Sequence, residues 1–418
     1  MRRLVLTNAN LLDGEHPAVP GSTIVIEGGR IAAVTDGLAE PAPSDDKAND
    51  ETVVDLAGRT VMPGMATCHF HSTYHELGTE PAPYGSEHAP SYLALLSHTN
   101  LMTALRWGYT TVVGAGAGQD VEPGVKEAIE RGLVPGPRFV PSGREMSTTG
   151  HANDAVPWYW GMPAAGAVRI CDGADAFRLG VREQVKMGAE IIKLFVTGGH
   201  GVMAPKARIE MTADELGAAI DAAHERGVLI RGHLTNKKAI MIAIELGIDI
   251  IDHCDDMDSE VIAACVATGT YVVPSIYFPK VFAPFFPDNE AELAHMYAIL
   301  PEAEAAGVRM LLGDDYGAMG FPHGSYGGEL HTYVEDAGIS PLSVLRWATL
   351  HGAQLLGRGH ELGTVEAGKL ADLLIIDGDP SLDIGVLADT EPLVVIKGGQ
   401  IVAGSLAAIG SSAAHTTA

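Results

Sequence analysis

The middle of the chain alternates short apolar runs with helical patterns. Residues 110–113, 138–141, 191–196, 228–233, 248–253, 271–276 and 310–313 each read as a buried strand. An apolar run over residues 61–66 leads into an eighth, which ends in Cys68-His69-Phe70-His71. Helical patterns fill the gaps, and Thr212-Ala213-Asp214-Glu215 is a capping box that opens a helix ending near Gly227. Eight strand–helix units over about 300 residues predict an α/β fold, a (β/α)8 TIM-like barrel, with its chemistry at the C-terminal strand ends. A doubly wound open sheet is the rival architecture.

The two ends have a different texture. Residues 3–7, 22–27, 30–34 and 52–55 read as short strands punctuated by Gly28-Gly29 and Gly58. Residues 40–51, rich in Pro, Ala, Asp and Ser, read as a solvated loop. The far end repeats the strand texture at 372–377, 392–397 and 400–402, with Gly398-Gly399 between the last two. The two ends are therefore expected to pair into one small β-sandwich, built from residues 1–61 and 363–405. The barrel takes 62–362, and 406–418 form a frayed, disordered tail.

Composition narrows the partners. Of 418 residues 46% are hydrophobic and 19% charged, an ordinary balance for a soluble globular protein. A formal net charge of −26 argues against nucleic acid and against an anionic membrane surface. Cys68, Cys171, Cys254 and Cys265 are scattered without C-x-x-C spacing, which suggests neither a disulfide framework nor a thiolate zinc site. No run reaches the roughly 18 apolar residues of a membrane span. Arg2-Arg3 precede only three apolar residues before Thr7, too few for a signal-peptide core. A reducing cytoplasm is the expected location.

Candidate chemistry collects at the predicted strand ends. In an extended strand His69 and His71 share a face while Phe70 takes the other, so the two imidazoles form a pincer for a transition metal. The pair alone also fits ordinary polar surface. Lys193 sits in an otherwise apolar fourth strand, His233 ends the fifth, His253 the sixth and Asp315 the eighth. A single buried histidine is usually a hydrogen-bonded core residue, but four of them with a carboxylate, all at strand ends, point to metal ligation. A buried lysine tends to lose its proton, and the neutral amine can take up carbon dioxide as a carbamate that bridges two divalent cations. The alternative for Lys193 is a salt bridge to an acidic neighbour such as Asp315.

With these residues assembled, the chain resembles the amidohydrolase superfamily, in particular its binuclear-metal, carboxylated-lysine branch of imidazolonepropionase-like proteins and Xaa-Pro or other dipeptidases. The resemblance covers nearly the whole chain. It rests on the His-x-His, on residues 108–113, 134–138 and 188–193, on Asp252-His253 and Gly313-Asp314-Asp315, and on residues 348–352 and 368–372. It implies one metal on His69, His71 and Asp315, and another on His233 and His253, with carboxylated Lys193 and a hydroxide between them. Two divalent ions, most simply zinc, would then be the cofactors, with carbon dioxide held as the carbamate. Asp315 would take the proton of the attacking hydroxide and pass it to the leaving nitrogen. The family commonly has Gly-Thr-Asp where this chain has Gly313-Asp314-Asp315; strand alternation sends Asp314 to the other face and leaves the role with Asp315. His151, in Thr148-Thr149-Gly150-His151, matches a Gly-His that hydrogen-bonds the substrate carbonyl, and a water-facing loop histidine is the alternative. His200 fits the pocket wall or solvent equally. His75, His323 and His351 read as structural, and His224 as surface.

The substrate is less legible. Trp158, Tyr159 and Trp160 lie on one loop expected over the barrel mouth, and Tyr277, Phe278, Phe282, Phe285 and Phe286 on another. Tyr74 adds a ring just past the metal pair. This clustering suggests a small apolar or aryl-bearing substrate, against the alternatives of loop packing or a subunit interface. A dipeptidase also needs a cation for a carboxylate, for which Arg144 at the mouth and Arg231 deeper in the barrel are available. The expected activity is therefore metal-dependent hydrolysis of a C–N acyl bond, of amide, urea or carbamate type, in a small-molecule substrate, with a dipeptidase as alternative. A non-catalytic metal-stabilised binding barrel predicts a broken ligand set, and ring deamination does without the strand-four lysine ligand. A homo-oligomer is expected.

Overall fold

The computed structural model describes residues 3–35, 37, 51–75, 85–151, 153, 154, 156, 157, 159, 166–202, 204–282, 288–318, 321–407 and 409. Both chain ends enter one hydrogen-bonded sheet of eight strands. Its order is Gln400–Gly404, Val394–Lys397, Leu373–Ile376, Thr60–Pro63, Arg3–Leu11, Val19–Glu27 and Arg30–Thr35, with Glu51–Asp55 also paired to Arg3–Leu11. Thr60–Pro63 stitches the halves together, antiparallel to Leu373–Ile376 on one edge and parallel to Asn10 and Leu11 on the other. Alternate residues such as Leu4, Leu6, Ile24, Ile26, Leu373 and Ile375 share one apolar core. Hydrogen bonding thus runs through a single continuous sheet, where the sequence suggests a sandwich. The hairpin at Gly28-Gly29 needs two residues at positive φ (57° and 82°), a backbone that favours glycine. Ile409, expected in the frayed tail, is instead buried against this core, because its apolar side chain has a partly buried partner in Leu406. Residues 38–50, 408 and 410–418, which hold most of the expected loop and the rest of the expected tail, lie outside the described residues.

The middle of the chain forms two parallel sheets. One holds Met65–Phe70, Tyr109–Gly114 and Arg138–Val140; the other runs Val168–Ile170, Glu145–Ser147, Ile191–Phe195, Leu229–Leu234, Ile250–His253, Tyr271–Val273 and Arg309–Met310. Backbone contacts join them: the Cys68 N–H donates to the Leu312 carbonyl at 2.6 Å, and Ser142 bridges Ile191 in parallel. Helices lie between the strands. The one at Ala213–His224 begins with the predicted capping box, Glu215 N–H donating to Thr212 Oγ1 and Thr212 N–H to Glu215 Oε2. Its buried Leu216, Ala219, Ile220 and Ala223 fall at helical spacing on the face toward the sheet. Among the described residues no helix is long and apolar enough to cross a membrane.

Three strand expectations change. The run 138–141 stops at Val140, since Pro141 has no N–H to donate to a ladder. The run 271–276 stops at Val273, and Tyr277–Phe282 is a short helix rather than part of a loop. Asp314 explains the turn: its Oδ2 accepts the Tyr277 and Phe278 N–H groups at 2.9 and 3.2 Å. The last run shrinks to Arg309–Met310, although the Leu311 N–H still donates to the Val272 carbonyl. Glu145–Ser147 and Val168–Ile170 are further strands of three residues each, too short and polar to show a period.

Candidate metal centre

Strand alternation brings His69 and His71 to one face, as their spacing predicts. Their Nε2 atoms lie 3.1 Å apart, and Asp315 Oδ1 is 3.0 Å from the first and 3.2 Å from the second. His71 donates its Nδ1–H to the Gly116 carbonyl at 2.9 Å, which leaves Nε2 with a free lone pair. His69 Nδ1 faces Asp252 Oδ1 at 3.4 Å, with the same consequence. Burial holds both imidazoles below their usual pKa, against the pull of Asp252 and Asp315. Two ring nitrogens and a carboxylate oxygen therefore crowd one point, a set of donors that a cation would draw together. The donor set fits a divalent transition metal, with carboxylate and carbonyl partners behind each ring to fix its orientation.

Asp315 is held well below the usual carboxylate range: burial works to raise it, but His69, His71 and His253 outweigh that. Asp314, fully buried on the opposite face, is pushed up to about 7 by burial and by the neighbouring Asp315. Beneath them Glu329, which the sequence reading does not single out, accepts the Gly313 N–H and the Tyr316 hydroxyl at 2.7 and 3.0 Å.

Lys193 is 1% exposed and donates to Asp252 Oδ2 at 2.6 Å. The salt bridge left open as an alternative is thus present, with Asp252 in place of Asp315. Burial lowers the Lys193 pKa and Asp252 opposes it. Arg231 reaches the same carboxylate with Nε at 3.0 Å and with Nη2, and donates Nη1–H to the Cys68 and Gly114 carbonyls. The parallel register sets Lys193 beside Arg231 and His233 beside Asp252, so two buried cations meet one acid. Asp252 was missed because alternation assigns it and His253 to opposite faces. His253 has φ 75° and Cys254 φ 58°, and this left-handed strand end turns the His253 ring back, 5.3 Å from His69 and 4.4 Å from His233 between ring centres.

His233 donates Nε2–H to the Gly199 carbonyl at 3.1 Å, while His253 Nδ1 is buried without a partner among the described residues. Ligating atoms of His200, His253 and Asp315 lie within 4.8 Å of one another, a second group beside His69, His71 and Asp315. His200 is buried in the site, stacked on His253 with 3.8 Å between ring centres. Burial would depress it, but Asp255 and Asp315 prevail and lift its pKa to about 9.

His151 also comes close. Its ring stacks on Phe195, which lies beside His233, and its Nδ1 accepts the Asn153 N–H. Nε2 then carries the proton and has no partner among the described residues. Burial first, then Arg208, lowers its pKa to about 4, so at neutral pH it is an uncharged donor. Two expected substrate contacts are placed differently. Tyr74 is 3% exposed, stacked on the candidate ligand His71 and bonded through its hydroxyl to Glu145. Arg144 is ion-paired with Asp120 at 2.9 Å, a carboxylate from the preceding strand–helix connection. Trp158, Trp160, Phe285 and Phe286 lie outside the described residues, and Tyr159 is exposed. His323 and His351 donate to the His71 and Met310 carbonyls, structural bonds as expected, and His224 meets Asp249 at the surface.

Imidazoles and carboxylates gathered at the C-terminal ends of parallel strands stand where β/α enzymes carry their active sites. The model of the amidohydrolase family matches residues 60–402, and the chain belongs to that family. It is similar to ochratoxinase of Aspergillus niger, 28% identical over 386 residues that cover 82% of this chain and 76% of that protein. It is also similar to imidazolonepropionase of Chromobacterium violaceum, 27% identical over 392 residues, 87% of this chain and 86% of that one. Among solved structures, a Xaa-Pro dipeptidase with methionine bound in its active site is 27% identical with a TM-score of 0.84, covering 96% of this chain and 100% of its own.

Proposed function

We propose that this protein is a divalent-metal-dependent hydrolase that cleaves a C–N acyl bond, of amide, urea or carbamate type, in a small apolar or aryl-bearing substrate. The convergence of the His69 and His71 lone pairs on the Asp315 carboxylate carries this reading. These three residues would hold one ion. His253 and His233, with Lys193 as its carbamate, would hold a second once His233 leaves Gly199 and Lys193 leaves Asp252. Zinc, the default for imidazole-rich sites, would acidify a water and polarise the scissile carbonyl when bound.

The chain's own groups supply the rest. Asp315, ionised and within reach of both imidazoles, takes a proton from the attacking water and delivers it to the leaving nitrogen. The Nε2–H of His151, without a partner among the described residues, donates to the carbonyl oxygen as charge develops there. Asp252 and the Gly116 carbonyl fix the tautomers of His69 and His71. Burial of Lys193 favours the neutral amine that reacts with carbon dioxide. We take the two parallel sheets as one closed (β/α)8 barrel, supported by the Cys68–Leu312 and Ser142–Ile191 contacts.

The likeness to a Xaa-Pro dipeptidase favours a second reading, a peptide substrate. Against it, both arginines offered for a carboxylate are ion-paired, Arg144 to Asp120 and Arg231 to Asp252. Mass-spectrometric product analysis of the zinc-loaded protein separates the two. One arm holds dipeptides with apolar, proline and basic C-terminal residues; the other holds N-acyl anilides, aryl ureas and carbamates. Turnover in the aryl arm is expected. Turnover confined to dipeptides makes the protein a peptidase, and silence in both arms with two metals bound refutes the proposed substrate class.

A further inference from the structure

Glu122 opens the helix Glu122–Glu130 and is fully buried, yet nothing in the proposed chemistry uses it. Among the described residues its hydrogen bonds come from serines. Oε1 accepts the Ser72 hydroxyl at 2.6 Å, and Oε2 accepts the N–H and the hydroxyl of Ser142 at 2.6 and 2.9 Å. A buried carboxylate is costly, and a contact that only filled space would be served as well by an apolar side chain. What the two serines hold is therefore informative. Ser72 directly follows His71, and its hydroxyl accepts that of Ser97 at 2.8 Å. Ser142 Oγ accepts the Gly116 N–H at 2.9 Å. Since that N–H can only donate, the one hydroxyl hydrogen of Ser142 is left for Glu122.

Gly116 is the residue whose carbonyl accepts the His71 Nδ1–H at 2.9 Å. Its φ of 118° favours glycine, and a Cβ there would run into the Glu145 carboxylate. With no side chain of its own to anchor it, Gly116 depends on its backbone bonds. Ser142 holds its N–H, and the Ala117 N–H beyond its carbonyl donates to the Gly143 carbonyl at 3.1 Å. One carboxylate thus grips both the chain that carries the His71 ring and the residue that receives the ring's proton. We propose, on the metal-binding reading above, that Glu122 is a positioning residue for His71. Through Ser72 it fixes the backbone beside the ring, and through Ser142 and Gly116 it fixes the acceptor of Nδ1–H. Nε2 is thereby kept as the lone pair that faces the metal.

Two readouts other than turnover test this, both taken above the value of about 7 to which burial pushes the Glu122 carboxyl. The first is the ring 15N spectrum of the metal-free protein, with His71 assigned as the signal lost in His71→Asn. The second is zinc affinity, by competition with a chromophoric chelator. In the wild type His71 should carry its proton on Nδ1. Glu122→Gln offers one acceptor oxygen to three donors, and Ser142→Ala removes the link to Gly116 while leaving Glu122 in place. Each should give a mixture of His71 tautomers and weaken zinc binding by about tenfold, the low end for loss of a partner behind a metal ligand. The double variant should lose little more than either single one, because both cut the same path. Phe177→Leu, a buried change in the helix Ala174–Met187, controls for lost stability and should move neither readout. The inference is overturned if either readout stays at its wild-type value in both variants, or if Phe177→Leu shifts them equally. A wild type that binds no zinc, with the tautomer still dependent on Glu122, defeats the metal reading and leaves the hold on His71 standing.

Discussion

Asp315→Asn should lower kcat/KM by at least about 10³-fold, within the range for loss of a positioned acid–base group. The expectation follows from its place between two imidazole nitrogens, at 3.0 and 3.2 Å, where the proposed mechanism makes it both a metal ligand and the proton carrier. Asparagine keeps the shape but loses the charge and the basicity. The neighbouring Asp314→Asn is the internal control. Asp314 faces away from the imidazoles and accepts the Tyr277 and Phe278 N–H groups, which an asparagine oxygen can still do in part. Its loss should therefore stay within about tenfold, the scale of one weakened hydrogen bond. Steady-state kinetics of both variants, on the substrate returned by the product panel, checks the contrast. Equal losses would mean that Asp315 has no special role.

Arg231→Leu should destabilise the fold by about 3–5 kcal/mol, the typical result of breaking a buried ion pair from one side. Arg231 is fully buried, and it ties Ile250–His253 through Asp252 to the Cys68 and Gly114 carbonyls at 2.5 and 3.2 Å. Without it both carbonyls lose a donor, and Asp252 keeps only Lys193 and His69. Lysine at 231 should not restore the loss, since one ammonium cannot reach the carboxylate and two carbonyls at once. Urea unfolding of Arg231→Leu and Arg231→Lys measures this. A change below about 1 kcal/mol would place Arg231 outside the structural core of the site.

Much of the centre was legible because strand alternation is a rigid rule. It put His69 and His71 on one face and separated Asp315 from Asp314, and the coordinates agree on both counts. The rule failed where the backbone leaves the strand. His253 reaches the site through a left-handed residue, which no periodicity announces, and this hid the neighbouring Asp252 as partner of Lys193, Arg231 and His69. The contacts of Tyr74 and Arg144 were hidden for another reason. Their partners, Glu145 and Asp120, lie 71 and 24 positions away in sequence, and a single chain does not say which acid claims which side chain. The terminal sheet was visible strand by strand, but its continuity depends on Thr60–Pro63 pairing on both edges. A four-residue apolar strand carries no sign of that double role.

Hydrolysis is expected to require a divalent metal on His69, His71 and Asp315. Elemental analysis of the dialysed protein, taken with activity before and after chelation, addresses it most directly. The account predicts that the wild type retains roughly two tightly held divalent ions per chain, the number the binuclear reading requires. His71→Asn should lose metal, and chelated wild type should be inactive until zinc is restored. Full activity in protein freed of metal would contradict the account.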